Sequence, residues 1–143
     1  MAHDAIRELV ERVTYAPGYT SAVGTRVESA EPGHVVMSLA RTDRLLQANG
    51  FFHGGVIAGL ADHAAGGAVT TAMPPGRFAV TVNLQVSFLT PAKGTSLIAR
   101  ARTLQVGSTI GVAHVDVASV ADGAETPCGI ATVTLRGVDF PAR

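Results

Sequence analysis

The sequence has few cysteines and few charges. Its 143 residues include one cysteine, Cys128, which excludes an internal disulfide framework and leaves too few thiols for a structural zinc site. A reducing compartment, the cytoplasm, is therefore expected. Charged residues make up only 15% of the chain and the formal net charge is +0, so no overall field favours nucleic acid or an anionic membrane.

Long apolar runs are also missing. No stretch approaches the roughly eighteen apolar residues of a membrane span, and the N-terminal segment is amphipathic and acidic, unlike a signal peptide. Hydrophobic residues nevertheless make up 47% of the chain and the mean hydropathy is +0.30, which is apolar for a lone domain of this size. We expect one domain over residues 1–143, with part of its apolar surface covered by another subunit.

Hydrophobic periodicity predicts an α+β fold with one helix at its centre. The first half of the chain is expected to form a helix over 4–13 with Asp4 as N-cap, strands over 21–30 and 34–41 joined by a Pro32-Gly33 turn, a loop over 42–52 and a helix over 54–69. The second half is expected to form four strands, over 80–89, 95–106, 110–120 and 128–138. Turns at Gly107-Ser108 and Asp122-Gly123 separate the last three of these strands.

The second of these helices is unusually poor in bulky side chains. Ten of the sixteen residues over 54–69 are Gly or Ala. Each glycine costs about 1 kcal/mol of helix propensity relative to alanine, so a compensating interaction is expected. We predict that a strongly curved antiparallel sheet wraps closely around this helix.

Asp62 lies inside this apolar helix. An ionised carboxylate is costly there unless it is paired or opens to water, which makes Asp62 a candidate catalytic group. A bland interpretation stays open, in which Asp62 lies on an exposed flank of the helix or caps a neighbouring loop.

Gly54 and Gly55 begin the same helix, directly after His53. A helix that starts with glycines presents unpaired N–H groups and the positive end of its dipole, with no side chain to block a ligand oxygen. This is the geometry of an oxyanion hole. The alternative is a simple glycine turn with His53 hydrogen-bonded in the core.

The spacing of these candidates has a consequence for assembly. Gly54 and Asp62 are eight residues apart, which is about 12 Å along a helix. One carbonyl group cannot contact both within one chain. If they form one site, Asp62 of one subunit must face Gly54 of another, which requires a homodimer with its sites at the interface.

Taken together, the motifs resemble a known family. They are Gln47, Gly50, His53-Gly54-Gly55, Leu60-Ala61-Asp62, Val80-Thr81-Val82 and Phe88-Leu89-Thr90-Pro91-Ala92. This set, within about residues 35–135, is similar to the hot-dog-fold thioesterases of the phenylacetic-acid-degradation type, in the 4-hydroxybenzoyl-CoA thioesterase superfamily. The resemblance implies hydrolysis of an aryl or short- to medium-chain acyl-CoA to the free acid and CoA, by a homodimer paired into a homotetramer. No cofactor is implied, since coenzyme A is part of the substrate.

The resemblance also implies a role for each site residue. Gly54 corresponds to the backbone N–H that polarises the thioester carbonyl, and His53 supports the loop that places it. Asp62 corresponds to the nucleophile or general base. Gln47, where many relatives have Asn, would orient the carbonyl or the water, and Thr81 would help to position the water.

Other chemically capable side chains have simpler interpretations. His114 is expected to be a strand histidine, Cys128 a small buried hydrophobe, and the Asp62-His63 pair no metal site, because adjacent helix residues point about 100° apart. Two further sets of side chains each allow two interpretations. Arg100, Arg102 and Lys93 are either contacts for the CoA phosphates or solvated charges. Phe51, Phe52 and Phe88 either line an acyl pocket or belong to the core.

Two rival functions fit the same fold. One is a hot-dog hydratase or dehydratase that acts on a thioester without cleaving it, although the His and acidic arrangement of those relatives is absent from this sequence. The other is a non-catalytic acyl-CoA binding module, since a fold alone does not fix function.

Overall fold

The computed structural model describes residues 2–140, which form three α-helices and six β-strands. In chain order these are α1 (His3–Tyr15), α2 (Tyr19–Ala22), β1 (Arg26–Glu31), β2 (His34–Ala40), α3 (Gly54–Ala72), β3 (Arg77–Phe88), β4 (Ser96–Val106), β5 (Ile110–Ala121) and β6 (Ala124–Asp139), with a 3-10 turn at Asp43–Leu45 between β2 and α3.

The six strands form one antiparallel sheet in the order β1-β2-β4-β5-β6-β3, and α3 packs across it. The predicted α+β arrangement, an antiparallel sheet around a long central helix, is therefore confirmed. Within residues 2–140 no helix is both long and apolar enough to cross a membrane.

Two boundaries at the N-terminal end differ from the predictions. Asp4 is not the N-cap of α1, because the helix begins at His3 and Asp4 lies in its first turn. The first strand begins at Arg26 rather than at residue 21, because the preceding residues form α2 and a turn. Gly24 makes that turn with a φ of 85°, a left-handed conformation that hydrophobic alternation does not reveal.

The last strand begins at Ala124, four residues before its predicted start at residue 128. Pro127 lies within the added residues, although proline cannot donate a ladder hydrogen bond. In the structure Pro127 pairs with Ala118 beside a register shift, where β6 has one extra residue, Cys128, between the Val117–Gly129 and Ala118–Pro127 pairs, and a missing N–H is tolerated there.

The sheet approaches α3 closely, as its composition predicted. Ala61, Ala64, Ala65 and Ala68 of the helix are fully buried. Glycines in the strands complete the fit: a Cβ on Gly111 would lie 2.5 Å from Val69 Cγ1. At this interface, small residues of one element thus lie beside larger residues of the other, with alanines on the helix and glycines on the sheet.

This packing predicts a strong position dependence for one substitution. Ala64→Leu should destabilise the fold by about 1–3 kcal/mol, because a buried alanine at this interface has no room for an isobutyl group. Ala72→Leu makes the same change at the exposed end of α3 and serves as the control. Urea unfolding of both variants measures the difference, and equal midpoints for the two would contradict close packing at Ala64.

Candidate functional site

One backbone N–H group at the N-terminus of α3 has no acceptor among the described residues. His53 is its N-cap: its carbonyl accepts the N–H of Val56 at 2.9 Å and of Ile57 at 3.2 Å, and its Nδ1 accepts the N–H of Gly55 at 2.8 Å. The N–H of Gly54 donates to no acceptor among residues 2–140. The first turn of α3 therefore retains a single free donor at the positive end of the helix dipole.

Gly54 lies in a largely apolar cleft of about 460 Å³. Its wall is formed by Gln47, Asn49, Phe51, Phe52, Gly54, Ile57, Phe88, Leu89, Thr90, Pro91 and Ala92. A Cβ on Gly54 would lie 3.2 Å from the Phe88 ring, so the glycine leaves the space between them open. This volume is within the range of small-molecule sites.

Gln47 is placed in the same cleft by a tight turn. Its backbone N–H donates to Phe51 O at 2.8 Å, its carbonyl accepts from Gly50 N at 2.9 Å, and its side-chain oxygen accepts from Asn49 N. The side-chain NH2 group makes no hydrogen bond to any residue in the range 2–140 and is therefore a second free donor among the residues of the cleft.

Asp62 lies two turns further along α3 and contacts a different part of the structure. Its Oδ1 accepts a hydrogen bond of 2.6 Å from the Thr81 hydroxyl on β3. Asp62 is half-buried and Thr81 is exposed. This geometry agrees with an exposed flank of the helix, and it fixes one carboxylate oxygen while the other has no partner among the described residues.

The structure thus brings the candidate residues together in two groups rather than one. Gln47, His53 and Gly54 lie at the cleft, whereas Asp62 and Thr81 lie together elsewhere. Both groups nevertheless border β3, since Phe88 covers Gly54 near the end of the strand and Thr81 contacts Asp62 near its start.

Strand β3 is itself unusual, because it is an edge strand with exposed apolar side chains. Its far edge pairs with no described strand. Val82 is 57% exposed and Phe88 is 55% exposed. Val80 and Leu84 on the strand, and Leu89 directly after it, are also open to solvent. The alternating pattern that predicted this strand therefore does not describe burial within a single chain.

Comparison with known proteins identifies the family. A family model described as the thioesterase superfamily matches residues 49–125, which include the start of α3, Asp62 and β3. The chain belongs to the thioesterase superfamily. It is accordingly a thioester hydrolase with the hot-dog fold.

Relatives and solved structures agree with this assignment. A provisionally named esterase of Halobacterium salinarum is 37% identical over 127 residues, covering 85% of this chain and 83% of the relative. Human acyl-coenzyme A thioesterase 13 is 29% identical, covering 83% and 86% of the two chains. A thioesterase family protein from Silicibacter pomeroyi superposes with a TM-score of 0.88 at 29% identity, covering 94% of this chain and 99% of the other.

Several other titratable groups of the thioesterase have structural partners. His114 lies 3.1 Å from Asp116 on the same strand, as expected for a strand histidine. Cys128 is buried, and burial raises the pKa of its thiol. Arg100 makes two hydrogen bonds of 2.6 and 2.8 Å to Glu125, which hold the pKa of the Glu125 carboxyl below its usual range.

The remaining aromatic and cation candidates lie at or near the cleft. Phe51, Phe52 and Phe88 all line it, and Phe52 is buried, whereas Phe51 and Phe88 have larger exposed areas. Lys93 places its ammonium 5.5 Å from the centre of the Phe51 ring, at the rim of the cleft. Among residues 2–140 there is no cluster of three or more His, Cys, Asp or Glu side chains that could hold a metal ion.

One connection was missed by sequence reasoning. His63 Nε2 lies 2.9 Å from the hydroxyl of Thr14 on α1, and burial lowers the pKa of His63 although the charge of Asp62 opposes this effect. Thr14 is fully buried near the end of α1. The contact spans 49 residues of sequence, so no local pattern could have indicated it.

The depressed pKa of His63 predicts a pH-dependent stability. Because the unfolded state binds a proton more readily, stability is lost as the pH falls below about 6.5, the ordinary pKa of a histidine in an unfolded chain. His63→Phe removes this titration, so its melting temperature should fall less than that of the wild type between about pH 7.5 and 5.5. His34→Phe, at an exposed site, is the control; identical pH profiles for His63→Phe and wild type would refute the effect.

Proposed function

We propose that the protein hydrolyses an acyl-CoA to the free acid and CoA, with Gly54 as carbonyl polariser and Asp62 as catalytic carboxylate. The observation that carries this proposal is the unbonded N–H of Gly54 in an apolar cleft, on the same helix as a carboxylate with a free oxygen. The activity named for acyl-coenzyme A thioesterase 13 supports the substrate class.

The chemistry requires no cofactor. The thioester oxygen would accept the N–H of Gly54, with the NH2 of Gln47 as a second donor, while negative charge develops on that oxygen. Asp62 would take a proton from water as it attacks the carbonyl carbon, and would return that proton to the departing CoA thiolate. In the alternative route, Asp62 would attack the carbonyl carbon and expel the CoA thiolate, and water would then hydrolyse the resulting anhydride to the free acid and Asp62.

The neighbouring residues would hold these groups in position. The Thr81 hydroxyl binds one oxygen of Asp62, which leaves the other oxygen for the water or the carbonyl carbon. The Nδ1 of His53 occupies the N–H of Gly55, so the carbonyl has one well-defined backbone donor. Lys93, whose ammonium lies 5.5 Å from the centre of the Phe51 ring, would meet a phosphate of the CoA portion.

A complete site would need a second copy of the chain. Antiparallel pairing of β3 with β3 of another copy, about a two-fold axis near Leu84, would bring the Thr81 end of one strand to the Phe88 end of the other. Asp62 of one subunit would then face Gly54 of its partner. The unpaired edge and the exposed apolar side chains of β3 support this dimer, because such an edge is a template for strand pairing.

Further details rest on the resemblance. Pairing of two dimers into a homotetramer is supported by the exposed Leu104 and Ile110 at the tip of the β4–β5 hairpin. The phenylacetic-acid-degradation type, aryl or short- to medium-chain substrates, a single domain over residues 1–143 and a cytoplasmic location stay predictions. The hydratase or dehydratase and the non-catalytic binding module are the alternatives, and thiol release from acyl-CoA discriminates against both.

Removal of either reacting group should abolish most of the turnover. Asp62→Asn should lower kcat for acyl-CoA hydrolysis at least about a hundredfold, because general-base catalysis is lost. Asp116→Asn, an exposed carboxylate on β5, is the matched control. Free-thiol release from a panel of aryl and aliphatic acyl-CoAs measures the effect, and a folded Asp62→Asn protein with wild-type turnover would eliminate the proposed role.

Gly54→Pro tests the backbone donor directly. Proline is tolerated at the first position of a helix and the extended backbone of His53 accepts a following proline, so the substitution removes the N–H with little cost to the fold. We expect kcat to fall about a hundred- to a thousandfold. Gly54→Ala adds a Cβ at the same place but keeps the N–H, so it should retain much more activity; equal losses would attribute the effect to bulk alone.

Mixing the two inactive variants tests whether the site spans two subunits. In a heterodimer of Asp62→Asn and Gly54→Pro chains, one interface site holds both damaged residues and the other holds both intact ones. Random exchange should therefore restore about a quarter of the wild-type activity per subunit. Sites contained within single chains would each carry one damaged residue, so a mixture that stays inactive after verified exchange excludes the shared site.

A further inference from the structure

A tyrosine from the N-terminal segment lies against α3 close to Asp62. A Cβ built on Gly59 would lie 2.7 Å from the Tyr19 hydroxyl oxygen and 3.2 and 3.3 Å from two carbons of the Tyr19 ring. Beyond the adjoining helix backbone, these are the three nearest heavy atoms that such a Cβ would meet. A glycine inside a helix is unfavourable relative to alanine. At Gly59 it leaves open the space on the helix surface that Tyr19 occupies.

Gly59 lies one turn before Asp62 on the same helix. Residues three apart on a helix have Cβ atoms about 5–6 Å from each other, so the Tyr19 hydroxyl is at most about 9 Å from Asp62 Cβ. The Cα–Cβ bond of Asp62 tilts towards the N-terminus of α3, which is the side on which Gly59 lies. The phenol and the carboxylate are therefore neighbours along one helix.

A chain of hydrogen bonds holds Tyr19 in this place. The Thr14 hydroxyl lies 2.9 Å from His63 Nε2 and joins the end of α1 to α3. The Thr20 hydroxyl donates to Thr14 O at 2.9 Å and joins α2 to α1. Tyr19, the first residue of α2, then returns to α3 at Gly59, four residues before His63. The N-terminal segment thus contacts α3 at two points one turn apart, beside the proposed carboxylate.

Both Asp62 and Tyr19 have an oxygen without a protein partner. Thr81 donates to Asp62 Oδ1 at 2.6 Å, and the other carboxylate oxygen makes no hydrogen bond within residues 2–140. The Tyr19 hydroxyl also makes none in that range, and its side chain is 55% exposed. Tyr15 differs, because its hydroxyl accepts the N–H of Val27 at 3.0 Å. The free phenol oxygen of Tyr19 is therefore available to a group bound beside Asp62.

We propose that Tyr19 is a further residue of the reaction site, whose hydroxyl oxygen accepts one hydrogen of the water that Asp62 activates. This inference rests on the proposed function, since it assumes that the thioester is hydrolysed beside Asp62. The phenol and the carboxylate are not bonded directly to each other. Two hydrogen bonds of about 2.7–2.8 Å through one water span up to about 5.5 Å, which is within the reach that the contact with Gly59 sets.

The water then reacts in a fixed orientation. It donates one hydrogen to Asp62 and the other to the Tyr19 oxygen, so that a lone pair points towards the carbonyl carbon. As the new C–O bond forms, Asp62 takes the first hydrogen as a proton, and the second stays on the oxygen that becomes part of the acid. The C–S bond breaks, and the proton on Asp62 passes to the CoA thiolate. Tyr19 neither gains nor loses a proton.

The first test removes the hydroxyl and keeps the ring. In Tyr19→Phe, kcat for acyl-CoA hydrolysis should fall about three- to tenfold, the value of one neutral hydrogen bond. The Kd for a non-hydrolysable ketone analogue of the acyl-CoA should stay unchanged, because the lost contact is to water. Tyr15→Phe makes the same change at a side chain of similar exposure that binds β1, and its kcat should equal that of the wild type. Thiol release and calorimetric titration measure the two quantities.

The second test displaces the hydroxyl without changing Tyr19. Gly59→Ala favours the helix, but its Cβ would push the hydroxyl aside, so kcat should fall about as far as in Tyr19→Phe. Combining the two substitutions should lower kcat little further, because the hydroxyl is already missing. Gly66→Ala is the control for a methyl group added elsewhere on α3, where a Cβ would lie 3.8 Å from Leu135 Cδ2.

The outcomes distinguish this inference from the proposed function. Lower kcat in Tyr19→Phe and Gly59→Ala, with analogue binding unchanged and non-additive effects, supports the role of Tyr19. Hydrolysis that requires Asp62 but proceeds equally in folded Tyr19→Phe and wild type overturns this inference alone. Analogue binding that weakens as much as kcat falls also overturns it, because Tyr19 would then only bind substrate. Folded wild type that releases no thiol overturns the proposed function and this role together.

Discussion

The close packing of α3 against the sheet is the constraint on which the rest of the structure depends. The buried face of the helix consists mainly of alanines, and larger strand residues such as Val115 and Val133 fill the core beside it. The sheet in turn has glycines opposite Ile57, Val69 and Met73. A helix held this near the sheet backbone leaves little freedom in where its ends and flanks lie. The N-terminus is consequently fixed beside the turn that carries Gln47, and the Asp62 flank is fixed beside β3. Two chemically useful positions thus follow from one packing requirement.

Separation of the polariser and the carboxylate along one helix also has a physical reason. Only the first turn of a helix has free N–H groups, so a backbone donor of this kind must lie at the N-terminus. A carboxylate in that same turn would accept those N–H groups itself, as acidic N-caps do, and would consume the donor that the substrate needs. Asp62 is two turns away and is bound by Thr81 instead. In the proposed mechanism, the same distance means that one carbonyl can contact both groups only if they come from two subunits.

The sequence allowed the sheet and the central helix to be predicted because both depend on local periodicity and on the Gly and Ala content of residues 54–69. The predictions failed where the deciding feature was not periodic. Gly24 ends α2 through a left-handed conformation, and Pro127 is accommodated by a register shift at the neighbouring Cys128 of its own strand, β6. The free N–H of Gly54 could be anticipated from a glycine at a helix start. The link between Thr14 and His63 could not, because it depends on how α1 folds back onto α3.

Asp62 and His63 are adjacent residues of one helix that contact different elements of the fold. Their side chains leave the helix about 100° apart, so one reaches β3 while the other reaches α1. The Thr14 hydroxyl lies 2.7 Å from Val10 O and 2.9 Å from His63 Nε2, so α1 helps to fix the position of the His63 ring. An element outside the sheet therefore holds the residue that follows Asp62, while the sheet holds Asp62 itself through Thr81. The flank of α3 that carries Asp62 is thus fixed from two sides, by α1 and by β3.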